Sequence, residues 1–236
     1  MTCNVSVAIA TYNGEKYIKK QLLSIIKQLA PNDEIVVSDD GSTDKTLDII
    51  NSLNDKRIKI IEGPHKGVKQ NFGNAIKYCK GKYIFLSDQD DIWMNNKVNT
   101  VLEAFKSNDT YMVQHDCTVV DIETNNIITD SYFKYRGCKR GIIKNIIKGS
   151  YIGCCMAFDS KIKDKILPIP DNIDMHDQWV GLICDYYKKN VFIKDKLINY
   201  QRHANTASDF LHHHSLLVMI RDRYNLIIDF IKRIKK

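Results

Sequence analysis

The 236-residue chain lacks several features that would narrow its reading early. It has no Cys-x-x-Cys pair, so no zinc site is suggested, and its seven cysteines (Cys3, Cys79, Cys117, Cys138, Cys154, Cys155 and Cys184) are odd in number, which argues against a disulfide framework. Most of them lie in apolar runs and read as reduced core residues of a cytosolic protein. No apolar run approaches the roughly 20 residues needed to span a bilayer. The N-terminus has no basic region followed by a long apolar stretch, so no signal peptide is expected. No internal repeat and no low-complexity linker interrupts the chain. The aromatic-interleaved basic motif of a nucleic-acid module is missing too, so nucleic acid is not an expected partner.

What is there is ordinary in bulk: 44% hydrophobic and 27% charged residues, enough for one sizeable α/β domain with a real core. The net charge of +7 permits contact with an anionic membrane or a phosphorylated ligand and does not choose between them.

The informative stretch is 81–93, where the apolar run Tyr83 to Leu86 ends in three close carboxylates, Asp88, Asp90 and Asp91. Carboxylates that close repel and have raised pKa values unless a cation sits among them. A hard divalent ion with oxygen ligands, Mg²⁺ or Mn²⁺, answers that requirement. A structural origin is the competing explanation, with Asp91 capping a following helix.

Along the chain, strands are expected at 4–10, 34–38, 57–61 and 83–86, with helices at 15–29, 45–53 and 67–79, the second capped by Ser42 or Thr43. Strand and helix alternating at this spacing predict a parallel sheet covered on both faces. Three strands then end in polar loops, Thr11-Tyr12-Asn13, Asp39-Asp40 and Asp88-Gln89-Asp90-Asp91, which a parallel sheet places on one edge. Ligands of such sheets bind beyond the strands' carboxyl ends.

The runs Val-Ser-Val-Ala-Ile-Ala-Thr-Tyr-Asn-Gly, Ser-Asp-Asp-Gly-Ser-Thr-Asp and Ser-Asp-Gln-Asp-Asp-Ile-Trp together resemble glycosyltransferase family 2, and the last is similar to rhamnosyltransferase-like members that build bacterial surface polysaccharides. The resemblance implies a GT-A fold: a Rossmann-like nucleotide-binding half with a mainly parallel sheet (1–107), a mixed acceptor-binding half (108–207) and a helical tail (208–236). It implies a nucleoside-diphosphate sugar donor with Mn²⁺ or Mg²⁺. Carried onto this chain, Ala10, Thr11 and Asn13 would line the nucleotide pocket, Asp39 would accept a hydrogen bond from the base, and Asp40 would brace that loop. Asp88 would face the ribose or sugar beside the metal, and Asp90 would ligate the metal directly. Ala10 stands where Pro is common in the family, a change that bears on loop stiffness. Lys66 and Lys69 could support the phosphates.

In the second half, 97–105 reads as a surface helix, 111–120 as one or two strands broken at His115 and Asp116, 127–141 as irregular, and 153–158 as a buried strand. His176-Asp177-x-Trp179 resembles the family's catalytic acidic motif. Inverting transfer needs one base to take the acceptor hydroxyl's proton, and Asp177 is the candidate, with an N-cap role as its structural alternative. His176 is expected to position the loop and Trp179 to pack in the core. Tyr200-Gln-Arg-His203 looks like the relatives' Tyr-Arg-x-His segment with two residues exchanged, so Arg202 or His203 could meet the diphosphate. The triplet His212-His213-His214 reads as a solvated helix start. In the tail, apolar and basic residues interleave; its first half is expected to dock on protein, or on a second subunit as a homodimer, and its last turn to touch an anionic membrane.

These readings give an inverting, metal-dependent glycosyltransferase, cytoplasmic and peripheral on the inner membrane face, with a lipid-linked glycan acceptor. A sugar-phosphate nucleotidyltransferase is the alternative enzyme, weakened because no Gly-rich basic loop follows the first strand. A non-catalytic nucleotide-sugar-binding partner of another transferase is the third reading.

Overall fold

The computed structural model describes residues 3–202 and 216–235. His203, Asn205, the His212–His214 triplet and the boundary expected at 207 lie outside the described residues.

The described strands form one nine-stranded mixed sheet. Its first part is made by β1 (Val5–Thr11), β2 (Glu34–Asp39), β3 (Ile58–Glu62) and β4 (Tyr83–Ser87), which lie side by side in the order β3-β2-β1-β4 and are parallel. Every residue of β1 is buried, as expected of a strand covered on both faces. Alternate side chains serve two cores: Val5, Val7 and Ile9 join one, Ala8 and Ala10 the other. The first core also receives Ile18, Leu22 and Ile25 of α1 (Ile18–Ile26) and Ile50 of α2 (Thr46–Ser52). The second receives Phe72, Ala75 and Ile76 of α3 (Val68–Tyr78).

After the two-residue β5 (Ile92–Trp93) comes α4 (Lys97–Ser107). It is no mere surface helix: Val98, Val101 and Phe105 enter the first core, and Lys97 is fully buried. The remaining strands are β6 (Met112–Asp121), β7 (Ile127–Thr129), β8 (Met156–Asp159) and β9 (Val191–Arg202), which extend the sheet as β4-β8-β6-β9-β5. Here antiparallel pairs dominate, β4 with β8 and β6 with β8, so the second half is mixed as expected. The segment expected as one or two strands is a single one, β6. Its register with β9 slips between His115 and Thr118, where bulges replace the expected break. Short helices α5 (Tyr132–Arg136) and α6 (Ile142–Ile147) occupy the stretch read as irregular and the one after it. Residues 153–155 turn as a 3₁₀ helix before β8, and α7 (Lys163–Ile166) follows.

Two helices complete the second face: α8 (His176–Tyr187) and α9 (Leu216–Ile234). In the tail, the expected docking of the first half is seen at Arg223, which donates to the Ile147 carbonyl, and at Asn225, which donates to the Asn172 carbonyl. The tail's second half docks on protein as well: Leu226 and Phe230 are buried, and the Arg233 guanidinium donates to the carbonyls of Lys165, Ile166, Leu167 and Pro168 while standing 5.0 Å from the centre of the Trp179 ring. Its first half also turns Leu217, Ile220 and Tyr224 outward, all three exposed.

Candidate active site

The pairing register brings the three polar strand ends together, since Thr11 lies opposite Asp39 and Ile9 opposite Ser87. Beyond them opens a cleft of about 550 Å³, lined among others by Ala10, Thr11, Asp40, Asp88, Asp90 and Tyr200.

The floor of the cleft is an interlocked set of loops. The buried Asp39 carboxylate accepts from Thr11 Oγ1 (2.9 Å), Ser42 Oγ (2.6 Å), Ser42 N (2.8 Å) and Gly41 N (3.2 Å). Those four donors match the number of lone-pair sites a carboxylate offers. Asp39 therefore organises its loop from within. Asp40 is the carboxylate of this pair that lines the cleft, and it braces the next loop by accepting from His65 N (2.7 Å) and Gly67 N (2.8 Å). Gly67 takes a positive φ of 80° there, which side-chain-bearing residues rarely adopt. Asn13 likewise ties loops together: its Oδ1 accepts from Thr43 N at 2.8 Å, and its N–H donates to Ser42 Oγ at 2.9 Å. It is the neighbouring Tyr12 that reaches the cleft wall, held by both ends of the Gln89 amide. Ser42 and Thr43 do not cap α2. Its N-cap is Lys45, without a side-chain cap, and the preceding Asp44 accepts from Thr46 N at 2.9 Å.

The acidic triplet divides its work. Asp88 and Asp90 line the cleft, whereas Asp91 is fully buried and accepts from Gln201 N at 3.1 Å, so it is no helix cap. Ligand atoms of Asp88, Asp91 and Cys154 lie within 4.8 Å of one another. Burial first, then the charges of Asp90 and Asp177, push the Asp88 carboxyl up to about 7. Burial and its two acidic neighbours also hold the Asp91 carboxyl well above the usual range. Behind them lies the buried Lys97, whose ammonium donates to the Cys154 carbonyl at 2.7 Å and sits 3.9 Å from the centre of the Trp93 ring; burial lowers it to about 8. Carboxylates gathered in so little water fit a hard divalent cation, with Asp88 and Asp90 offering oxygens from the cleft wall. Burial holds the Cys154 thiol protonated, which leaves it a poor partner for such an ion.

Asp177, from the other half, does not line that cleft, but its charge reaches Asp88 and helps raise that carboxyl. It stands in the first turn of α8, after the N-cap Met175, so it is not itself the cap. Its Oδ1 accepts from Gln178 N at 2.6 Å, and burial raises its carboxyl to about 6. Gly153 permits the close approach of this turn: a Cβ there would lie 2.9 Å from His176 Nε2 and 3.6 Å from Asp177 Cβ. His176 is buried and stacked on Phe72 at 4.0 Å between ring centres, and burial lowers it to about 3, so it packs as a neutral ring. Trp179 is a core residue, as expected, and donates to the Ile166 carbonyl at 2.8 Å.

Two basic residues behave differently from expectation or from each other. The Lys69 ammonium is turned from the cleft and donates to the carbonyls of Asp171 (2.7 Å) and Ile173 (2.5 Å), holding the loop that leads into α8. Two of the ammonium's three N–H donors are thus engaged there. Arg202 stays close to the cleft, donating to the Tyr200 hydroxyl at 3.2 Å. Sequence reasoning missed Tyr12, His65, Asn71, Met175 and Tyr200 as lining residues. Asn71 carried a signal of sorts, a polar residue on the apolar face of a helix; it is buried and its amide donates to the carbonyls of Thr11 and Ser38.

Comparison with known proteins bears on the fold and the family. The chain resembles a crystal structure of S. aureus TarS 1-349 in complex with UDP-GlcNAc, with a TM-score of 0.72 at 18% identity over 98% of this chain and 72% of that one. That establishes the GT-A fold. Two Escherichia coli relatives are UDP-Glc:alpha-D-GlcNAc-diphosphoundecaprenol beta-1,3-glucosyltransferases. WfaP is 34% identical over 50% of this chain and 50% of its own, and WfgD is 29% identical over 64% of this chain and 57% of its own. The alignments thus span about half the length of these relatives. The model of the family described as "Glycosyl transferase family 2" matches residues 6–167, most of the length over which the cleft is built, and the chain belongs to that family.

Proposed function

We propose that this protein transfers a sugar, with inversion, from a nucleoside diphosphate to a hydroxyl of a glycan carried on a lipid diphosphate, as a step in building a surface polysaccharide. The observation that carries the reading is the gathering of Asp40, Asp88 and Asp90 around one cleft, with Asp177 close enough to raise the Asp88 carboxyl. The names of the two E. coli enzymes and the UDP-GlcNAc bound to TarS favour a uridine diphosphate sugar as donor.

In this reading the nucleotide lies against Ala10, Thr11 and Tyr12, and Asp40 meets its polar edge. Asn13 and Asp39 hold that surface in shape from behind. Asp88 faces the sugar or ribose, and Arg202 meets the diphosphate from the β9 side. Asp88 and Asp90 would hold Mn²⁺ or Mg²⁺, which when bound supplies positive charge to the departing diphosphate. Asp177 accepts the acceptor hydroxyl's proton as that oxygen attacks the anomeric carbon. A carboxyl lying near 6 is ionised at neutral pH and still basic enough to help. The enzyme works in the cytoplasm, peripheral to the membrane that carries its acceptor.

Incubation with a UDP-sugar, Mn²⁺ and a GlcNAc-diphospholipid tests the proposal. Nucleoside diphosphate and an extended lipid are the expected products. Pyrophosphate release would instead identify a nucleotidyltransferase. Donor binding without turnover of the lone polypeptide would leave a binding partner of another transferase.

A further inference from the structure

Residues 131–148, which carry α5 and α6, contain Lys134, Arg136, Lys139, Arg140, Lys144 and Lys148 and no acid. None of these six has an ion-pair partner among the described residues, and Arg136 Nε is buried without a hydrogen bond. Lys139, Arg140 and Lys144, with Lys189, line a shallow hollow of about 470 Å³ in which Asp185 is the one acid. The same short helix α6 exposes two isoleucines four residues apart, Ile143 at 75% and Ile147 at 63%. Four-residue spacing puts both on one face.

Helix α9 extends this surface. Arg223 donates through Nε (3.0 Å) and Nη2 (2.7 Å) to the Ile147 carbonyl, fastening the end of α6 to α9. Ile220, three residues before Arg223 and 56% exposed, is its neighbour on the helix surface. Leu217 and Tyr224 stand on the same outward side as Ile220, exposed by 80% and 64%. Apolar tips on two joined helices, beside the cations of 134–148 that lack ion pairs among the described residues, suit the boundary between acyl chains and anionic headgroups; on α9 itself Arg221 is paired with Asp222. A second copy of the chain suits it poorly, because like charges would meet across a two-fold axis.

We infer that α6 and the first half of α9 form a docking face for an anionic lipid bilayer, with Ile143 and Ile147 inserting and Lys139, Arg140 and Lys144 holding headgroup phosphates. The face adjoins the candidate base: Gln178, next to Asp177, donates to the Asn145 carbonyl of α6 at 2.7 Å. Docking there would bring a lipid-borne acceptor to the Asp177 side of the cleft. From the preceding reading the inference takes only that the acceptor is carried by a lipid.

Flotation with phosphatidylcholine vesicles, with and without about one third phosphatidylglycerol, tests it. The wild-type chain is expected to float with anionic vesicles and not with neutral ones, and to be released by high salt. The triple variant Lys139→Ala, Arg140→Ala, Lys144→Ala should bind on the order of a hundredfold more weakly. Ile143→Ser with Ile147→Ser should weaken binding by roughly tenfold or more. Thermal stabilisation by a UDP-sugar with Mn²⁺ serves as the check on folding and should be unchanged in both. A wild-type chain that ignores anionic vesicles, or folded variants that float as it does, would overturn the inference. So would a wild-type dimer that the isoleucine variant turns into monomer without any vesicle binding. Donor binding without vesicle binding sinks the face alone, whereas vesicle binding without donor binding sinks the sugar-transfer reading alone.

Discussion

The two halves of the sheet are built to different standards of closure. In the first, from β1 to β4, loop polar groups are satisfied by one another: Asp39 by Thr11, Gly41 and Ser42, Asp40 by His65 and Gly67, Asn13 by Thr43. In the second, β6 slips register, α5 and α6 are one or two turns long, and the cations of 131–148 have no ion-pair partner among the described residues. A donor differs little between reactions that use nucleoside diphosphates, and a rigid cradle suits it. Acceptors vary, and a segment with unsatisfied charge and little packing can change without unfolding the core.

The largest effect that would separate the halves comes from Asp177→Asn. If chemistry rests on the second half and donor binding on the first, kcat should fall about 10²- to 10⁴-fold while donor-induced thermal stabilisation stays as in the wild type. In the wild type, the rate should rise with pH up to about 6 and then level, because Asp177 must be ionised to accept a proton. A rate independent of pH between 5 and 7 would remove Asp177 from the role of base.

Next in size is a stability contrast. Asp39→Ala leaves the buried Thr11 hydroxyl and the half-buried donors of Ser42 and Gly41 without their acceptor, and a loss of about 2 kcal/mol in denaturant unfolding is expected. Lys139→Ala, at an exposed residue of the second half, should stay within about 0.5 kcal/mol. Equal losses would erase the distinction drawn between the halves.

A smaller, pH-dependent effect tests the cation. In the metal-free fold Asp88 and Asp177 keep their protons up to about 7 and about 6, whereas an unfolded chain releases them near 4. Both folded values are raised, so these groups favour the fold at low pH and cease to do so as pH rises through that window. A divalent ion replaces the proton only where the carboxylates are ionised. Mn²⁺ should therefore raise the melting temperature by a few degrees at pH 8 and much less at pH 5. A shift of equal size at both would place the ion elsewhere.

Much of the first half was legible because its signals are local. Apolar runs ending in Thr11, Asp39 and Asp88 predict parallel strands whose loops share an edge, and the register bears this out. What could not be read is who bonds whom. Asp39 looks like a ligand group until Thr11 and Ser42 are seen to fill it. Lys97 looks solvated at a helix start, and only the approach of the 153–155 turn buries it. In α9 the periodicity offers apolar residues on two sides, and the partner that selects the inner side, α8 with its Trp179, lies some fifty residues earlier.

The smallest expected effect falls on the seam between the halves. Lys69 belongs to α3 yet holds the carbonyls of Asp171 and Ile173, the approach to the Asp177 turn. Lys69→Met keeps the side chain's bulk and removes both bonds. Loss of about 1–2 kcal/mol of stability and a decrease in kcat of less than tenfold should follow, with KM for the donor unchanged, since the ammonium does not face the nucleotide. If instead donor KM rises tenfold and stability is intact, the ammonium swings to the diphosphate when donor binds. The seam would then belong to the donor cradle, and the division between a closed half and an open one would have to be drawn on the far side of the 171–173 loop.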